Sequence, residues 1–135
     1  MISIFFSGRT CGAMLLMMVI ADETDEAAMA KWHRYVAGTD LEALAWRDSQ
    51  AAADTKAEAH STVGRMVRSD RVPTNMLRLI GSYETIAKQL DALAETPGLQ
   101  GVMLTFDDFL IGMDQFGTRI QPLMQCRKHI AQAAA

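Results

Sequence analysis

The sequence predicts an α/β protein with two parallel strands, at about 14–20 and 101–106, and four to six helices. Three observations predict it. LLMMVI and GVMLTF are short runs, apolar on both faces, as strands of a helix-covered parallel sheet are. Each leads through acidic residues into a stretch with helical spacing of its apolar positions. The order strand, helices, helix, strand, helix suits a parallel arrangement. With 135 residues, half of them hydrophobic, the chain is long enough for a single domain over 1–135 with a real core.

Residues 1–12, MISIFFSGRTCG, have no periodic pattern, and MISIFF is apolar enough to pack. After that strand, Asp22 and Thr24 offer helix caps, and Asp25 and Glu26 put negative charge where a helix dipole favours it. The helix runs to about Ala37, with Ala28, Met29, Trp32, Tyr35 and Val36 on one face, and Gly38 ends it. Asp40 then caps a second helix, with Leu41, Leu44 and Ala45 inward and Trp46 to one side. The segment from about 54 to 80 is the least patterned; it breaks at Val72-Pro73, and NMLRLIG reads as a short turn or helix packing Met76, Leu77 and Ile80. Ser82 is a plausible cap for the next helix, in which Ile86, Leu90 and Leu93 form a stripe, and Pro97 and Gly98 stop it. After the second strand, Phe109, Leu110, Met113, Phe116, Ile120, Leu123 and Met124 keep helical spacing. Gly112 and Gly117 weaken that helix, and Pro122 forces a kink or a new start.

A net charge of −3 gives no electrostatic case for nucleic acid. Arg65, Arg68 and Arg71 are the nearest approach to a basic cluster, and a solvated face accounts for them. AMLLMMVIA resembles the apolar core of an export signal, but no basic stretch precedes it, so a buried strand is expected. No apolar run approaches the ~20 residues of a membrane span. Cys11 and Cys126 are too few for a disulfide framework and lie in no CxxC motif; free thiols in a cytoplasmic protein are the expectation. No Cys/His cluster has zinc spacing, so no metal is expected. The ten methionines suit gap-filling in a core or an interface.

GSYETIAKQLDALAETPGLQGVMLTFDDFLIGMDQFGTRIQPLM resembles the last helix–strand–helix of the bacterial-luciferase-like flavin monooxygenases. LLMMVIADETDEAAMAKW is similar to an earlier strand and helix start of the same family, and the resemblance implies a turn at Gly8 and Arg9 before that strand. IADETDEAAMAKW, with GVMLTFDDFL and RIQPLM, points to the branch of flavin-dependent pyrimidine monooxygenases that open uracil rings. The resemblance covers roughly 8–127 and implies a partial TIM-barrel-like fragment, since a full (β/α)₈ barrel takes ~250 residues. It implies FMN as the cofactor of the whole enzyme. The flavin-contacting residues of the family lie mainly in earlier strands, so none is carried onto this chain.

In such a barrel Asp22, Glu23, Thr105, Phe106, Asp107 and Asp108 fall near the catalytic face, at the C-terminal strand ends. Glu23 or Asp107 would line a substrate or flavin cavity; capping of free helix amides is the commoner use of Asp22, Asp107 and Asp108. The chain has no GxGxxG or P-loop. His33, His60 and His129 are expected as surface or capping residues, and no serine sits in a hydrolase elbow. Trp32 and Trp46 suit packing more than ligand stacking.

Three functions are consistent with this pattern. The first is a C-terminal fragment of a luciferase-like FMN-dependent monooxygenase, inactive and flavin-free on its own. The second is a non-enzymatic module that self-associates, most simply as a dimer, because two lone strands leave open edges. The third is a subunit that completes a barrel with a separate partner chain.

Overall fold

The computed structural model describes residues 5–6, 9–10, 12–53 and 76–128. The expectations for Gly8, Cys11, His60, Arg65, Arg68, Arg71, Val72-Pro73 and His129 fall outside these residues. Two compact units are distinguished, Met1–Trp32 with Met76–Ala135, and His33–Asn75.

Among the described residues the first unit holds a three-stranded parallel sheet, one strand more than the sequence indicates. Its strands are β3 (Ala13–Asp22), β4 (Leu77–Ser82) and β5 (Leu99–Phe106), in the order β4-β3-β5. A short antiparallel pair, β1 (Phe5–Phe6) and β2 (Arg9–Thr10), precedes it. The register aligns Val19 with both Leu79 and Phe106, and Asp22 with Ser82. The two expected strands are present and somewhat longer than expected. The third, β4, replaces the turn or helix expected for NMLRLIG. Leu77, Leu79 and Gly81 fall opposite Met17, Val19 and Ala21 and share their face, so a period of two governs the segment. Six residues are too few for a helical and a strand pattern to separate by sequence.

Helix α1 (Asp25–Ala37) starts at Thr24, whose Oγ1 accepts the Ala27 amide at 3.1 Å. Its expected apolar face is only partly used: Ala28 is buried and Trp32 half-buried, while Met29, Tyr35 and Val36 are exposed. Helix α2 (Leu41–Ala52), in the second unit, is capped by Asp40, which accepts from the Ala43 amide at 2.9 Å. Leu41 was expected inward and is exposed, as is Trp46.

Helix α3 (Tyr83–Ala94) follows β4 directly. Ser82 caps it by accepting the Thr85 amide. Ile86 and Leu90 are buried and Leu93 partly so, as their spacing requires. After Pro97 the chain turns at Gly98, whose φ of 83° is a conformation that a side chain would strain. Helix α4 (Phe109–Gln115) is capped by Asp108, which accepts from the Ile111 amide at 3.0 Å. A π turn over Phe116–Ile120 and a 3₁₀ turn over Gln121–Leu123 continue it. Pro122 thus enters a tighter turn, the new start its missing N–H demands. Gly112 sits where a Cβ would come within 2.5 Å of the Phe106 side chain, so it lets α4 lie directly on β5.

The main core cluster lies on one face of the sheet; Ile20, fully buried, points to the other face. Met17, Val19, Ala21, Leu79 and Phe106 pack with Ile86, Leu90, Ile120 and Met124. Asp91 fastens the C-terminal segment to α3: its carboxylate accepts the Gln125 and Cys126 amides at 2.9 and 3.0 Å. Cys126 is a free thiol, raised above its usual pKa by burial and by the Asp91 carboxylate beside it.

Candidate functional site

The carboxylates singled out in the sequence gather where the strands end. Asp22 closes β3, and one of its oxygens accepts the Glu23 amide at 2.8 Å. Lys31, on α1, reaches back to the same place. Its Nζ donates to the Ala21 carbonyl at 2.7 Å and lies 3.3 Å from Asp22 and 3.8 Å from Asp107. The ammonium group therefore joins the ends of β3 and β5 through two carboxylates. Its side chain is 17% exposed, so solvent screens the group less than at an open surface.

Glu23 points to a different partner. Arg119 Nη2 donates to both its oxygens, at 3.0 and 2.8 Å, and the pair is exposed. The guanidinium also lies over the Tyr83 ring, 4.6 Å from its centre. Tyr83 is raised above the ordinary phenol value, first by burial and then by the Glu23 charge. These groups line an open cavity of about 490 Å³ together with Ser82, Glu84, Thr118 and Leu123. The Ser82 hydroxyl is already engaged, donating to Thr85 Oγ1 and accepting the Thr85 amide.

Asp25 makes the third link. Its Oδ1 accepts the Ser82 amide at 2.6 Å. That bond, with smaller contributions from the Thr85 and Ser82 hydroxyls, holds its carboxyl below the usual range.

The rim residues expected from sequence are thus divided. Asp22 and Asp107 meet at Lys31, and Glu23 pairs with Arg119. Thr105 is half-buried in β5, opposite Met18. Phe106 is a core side chain, 7% exposed, packed near the Phe109 and Phe116 rings. Asp108 is the cap, while Asp107 takes the ion pair. Sequence reasoning missed Lys31 and Arg119, and gave Asp25 only a place at the helix N-terminus. Lys31 was detectable: it stands three residues after Ala28, on the inward side of α1. Arg119 lies 96 residues from Glu23 and has no local signal. Among the described residues no group of three His, Cys, Asp or Glu side chains is placed to hold a metal ion, and no helix is long and apolar enough to cross a membrane.

No family model matches the chain. Individual proteins do. A pyrimidine monooxygenase RutA of Allorhizobium ampelinum is 60% identical over 124 residues, 90% of this chain and 34% of its own length. The chain matches the C-terminal portion of the RutA pyrimidine monooxygenases. RutA of Klebsiella pneumoniae subsp. pneumoniae is 55% identical over 126 residues, 93% of this chain and 35% of its own. RutA of Rhizobium rhizogenes is 55% identical over 125 residues. The chain therefore spans about a third of the length of the RutA relatives it matches. The described fold, a parallel α/β sheet with four α-helices, is that of a partial barrel-like fragment.

Proposed function

We propose that this chain supplies the C-terminal part of an FMN-dependent pyrimidine monooxygenase and is not catalytic without the remainder. The observation that carries this reading is the 60% identity to RutA over 90% of the chain. Its contribution is structural at the site: Lys31 draws Asp22 and Asp107 together, and Arg119, lying over Tyr83, holds Glu23. Fixed charges on two strand ends make a preorganised polar wall against which a planar, hydrogen-bonding ring can be oriented.

The described residues do not by themselves fit FMN. Among the described residues Arg119 is the one cation lining the 490 Å³ cavity, and it is already paired with Glu23. Glu84 adds a further carboxylate there, opposite to what a phosphate with about two negative charges requires. Within this reading the flavin's phosphate and ring are held by the two thirds of the enzyme that this chain does not match.

A chimera tests the reading. The matched region of the Allorhizobium ampelinum protein is replaced by this chain's residues, and oxygen uptake is followed with reduced FMN and uracil. Uracil-dependent turnover within about tenfold of the parent is expected, a loss of no more than ~1.4 kcal/mol in transition-state stabilisation. A folded chimera with no uracil-dependent turnover would overturn it.

A further inference from the structure

A second cavity lies within the first unit, toward the end of β5 opposite Asp107, and has a volume of about 280 Å³. Val102 and Leu104 of β5, Leu90 of α3, and Phe116 and Met124 from the segment after α4 line it. Leu90 and Met124 are buried, while Val102, Leu104 and Phe116 are partly buried against the core cluster. Apolar side chains from three elements thus converge on a space that they do not fill. Asp91 ties the wall that carries Met124 and Cys126 to α3, through the Gln125 and Cys126 amides. An apolar cavity of about 150 Å³ is enough to take up a benzene ring, so this one has room for a short aliphatic chain or a substituted ring.

Among the described residues one charged side chain, Arg127, lines the cavity. It is exposed and makes no ion pair or hydrogen bond among them. Its charge acts on the Cys126 thiol, which lines the same space and is kept protonated by burial and by Asp91. A ligand that fills the apolar part brings its polar end to the guanidinium. A cation there is repelled. A neutral group covers the guanidinium without replacing its lost water. A carboxylate meets it with two parallel hydrogen bonds. We propose that this cleft binds a small amphiphilic carboxylate, its apolar part on Val102, Leu104 and Phe116 and its carboxylate on Arg127. The site is separate from the carboxylates at the C-terminal strand ends, and its occupancy does not depend on uracil turnover.

Calorimetry on the full chain tests this with three probes of one length: octanoate, octanol and octylammonium. One octanoate per chain is expected, with a dissociation constant on the order of 0.1–1 mM. Octylammonium should bind about tenfold more weakly or not at all, and octanol should fall between the two. Arg127→Gln should weaken octanoate about threefold, the scale of an exposed charge pair. Ala94→Trp places a ring in the cleft from an exposed position that also lines it, and should weaken octanoate about tenfold. Both sites are exposed, so the circular dichroism of each variant should match the native chain. Bound octanoate should also slow N-ethylmaleimide labelling of Cys126, read by peptide mass. The proposal is overturned if octanoate does not saturate below about 10 mM, or if octylammonium binds as well. Affinity unchanged in either variant, or Cys126 labelling indifferent to octanoate, overturns it too. The ammonium comparison and the labelling use the native chain and decide the matter even if a variant fails to fold. None of these readings involves uracil, so an inactive chimera leaves this proposal standing, and an empty cleft leaves the functional reading standing.

Discussion

Lys31 is the side chain on which the strand ends depend most. Its ammonium group satisfies the Ala21 carbonyl and offsets two carboxylates that belong to different strands. Lys31→Met keeps the length of the side chain but removes the charge, so Asp22 and Asp107 face each other without this cation. We expect a loss of roughly 1–3 kcal/mol, the range for a partly buried polar network deprived of one member. Urea unfolding measures it; a change below the error of the method would show that solvent already screens the cluster. A second residue-scale effect concerns pH. The Ser82 amide, with the Thr85 and Ser82 hydroxyls, keeps the folded Asp25 carboxyl below its unfolded value near 3.9. Its contribution is therefore complete above about pH 4 and is lost as pH falls through the lower, folded value. The stability gap between the native chain and Asp25→Asn should be widest at neutral pH and shrink in acid. A gap constant from about pH 2 to 6 would contradict the assignment.

At the scale of the element, two single side chains fasten the described segment that follows β5. Asp108→Ala removes the cap of α4, a helix of only seven residues, and should cost about 0.5–2 kcal/mol. Burial raises Asp91, but the Cys126 and Gln125 amides outweigh it and bring the carboxyl below its ordinary value. Asp91→Ala should release the segment after Pro122, which hydrogen exchange at Gln125 and Cys126 would register as lost protection. Unchanged protection would mean that the burial of Ile120 and Met124 suffices. These caps were legible in the sequence, because Ser82, Thr24, Asp40 and Asp108 act within three residues of themselves. So was the α3 stripe, whose twelve residues give three turns of period. β4 was not legible: six residues cannot display a period, and its partner β3 lies more than fifty residues away in sequence. The outward face of α4 was equally hidden. Phe109, Leu110 and Met113 have the spacing of a core stripe, and spacing alone does not say whether the chain itself supplies the cover.

At the scale of the molecule, the question is what a parallel sheet with two open edges among its described strands can bind. Among the described strands β3 is central, and β4 and β5 each have one side without a strand partner. Burial along β3 begins only at Met17; Met14 and Leu16 before it are exposed. The cavity at the C-terminal strand ends is open rather than enclosed, and its cation, Arg119, is already paired with Glu23. Flavin binding requires both a cation for the phosphate and a walled slot that covers most of the ligand. Arg119 is engaged by Glu23 at 2.8 Å, and releasing it for a phosphate would leave Glu23 and Glu84 facing that same anion. The isolated chain should therefore not retain FMN, and titration followed by flavin fluorescence should show no saturable quenching at micromolar protein. Glu23→Gln sharpens the expectation. It frees the guanidinium and removes one repelling carboxylate, so any weak anion affinity of the cavity should rise in that variant, read as a shift of the quenching midpoint to lower FMN. Saturable binding of one FMN by the native chain, unchanged by Glu23→Gln, would mean that the flavin sits elsewhere and that the Glu23–Arg119 pair does not gate this cavity.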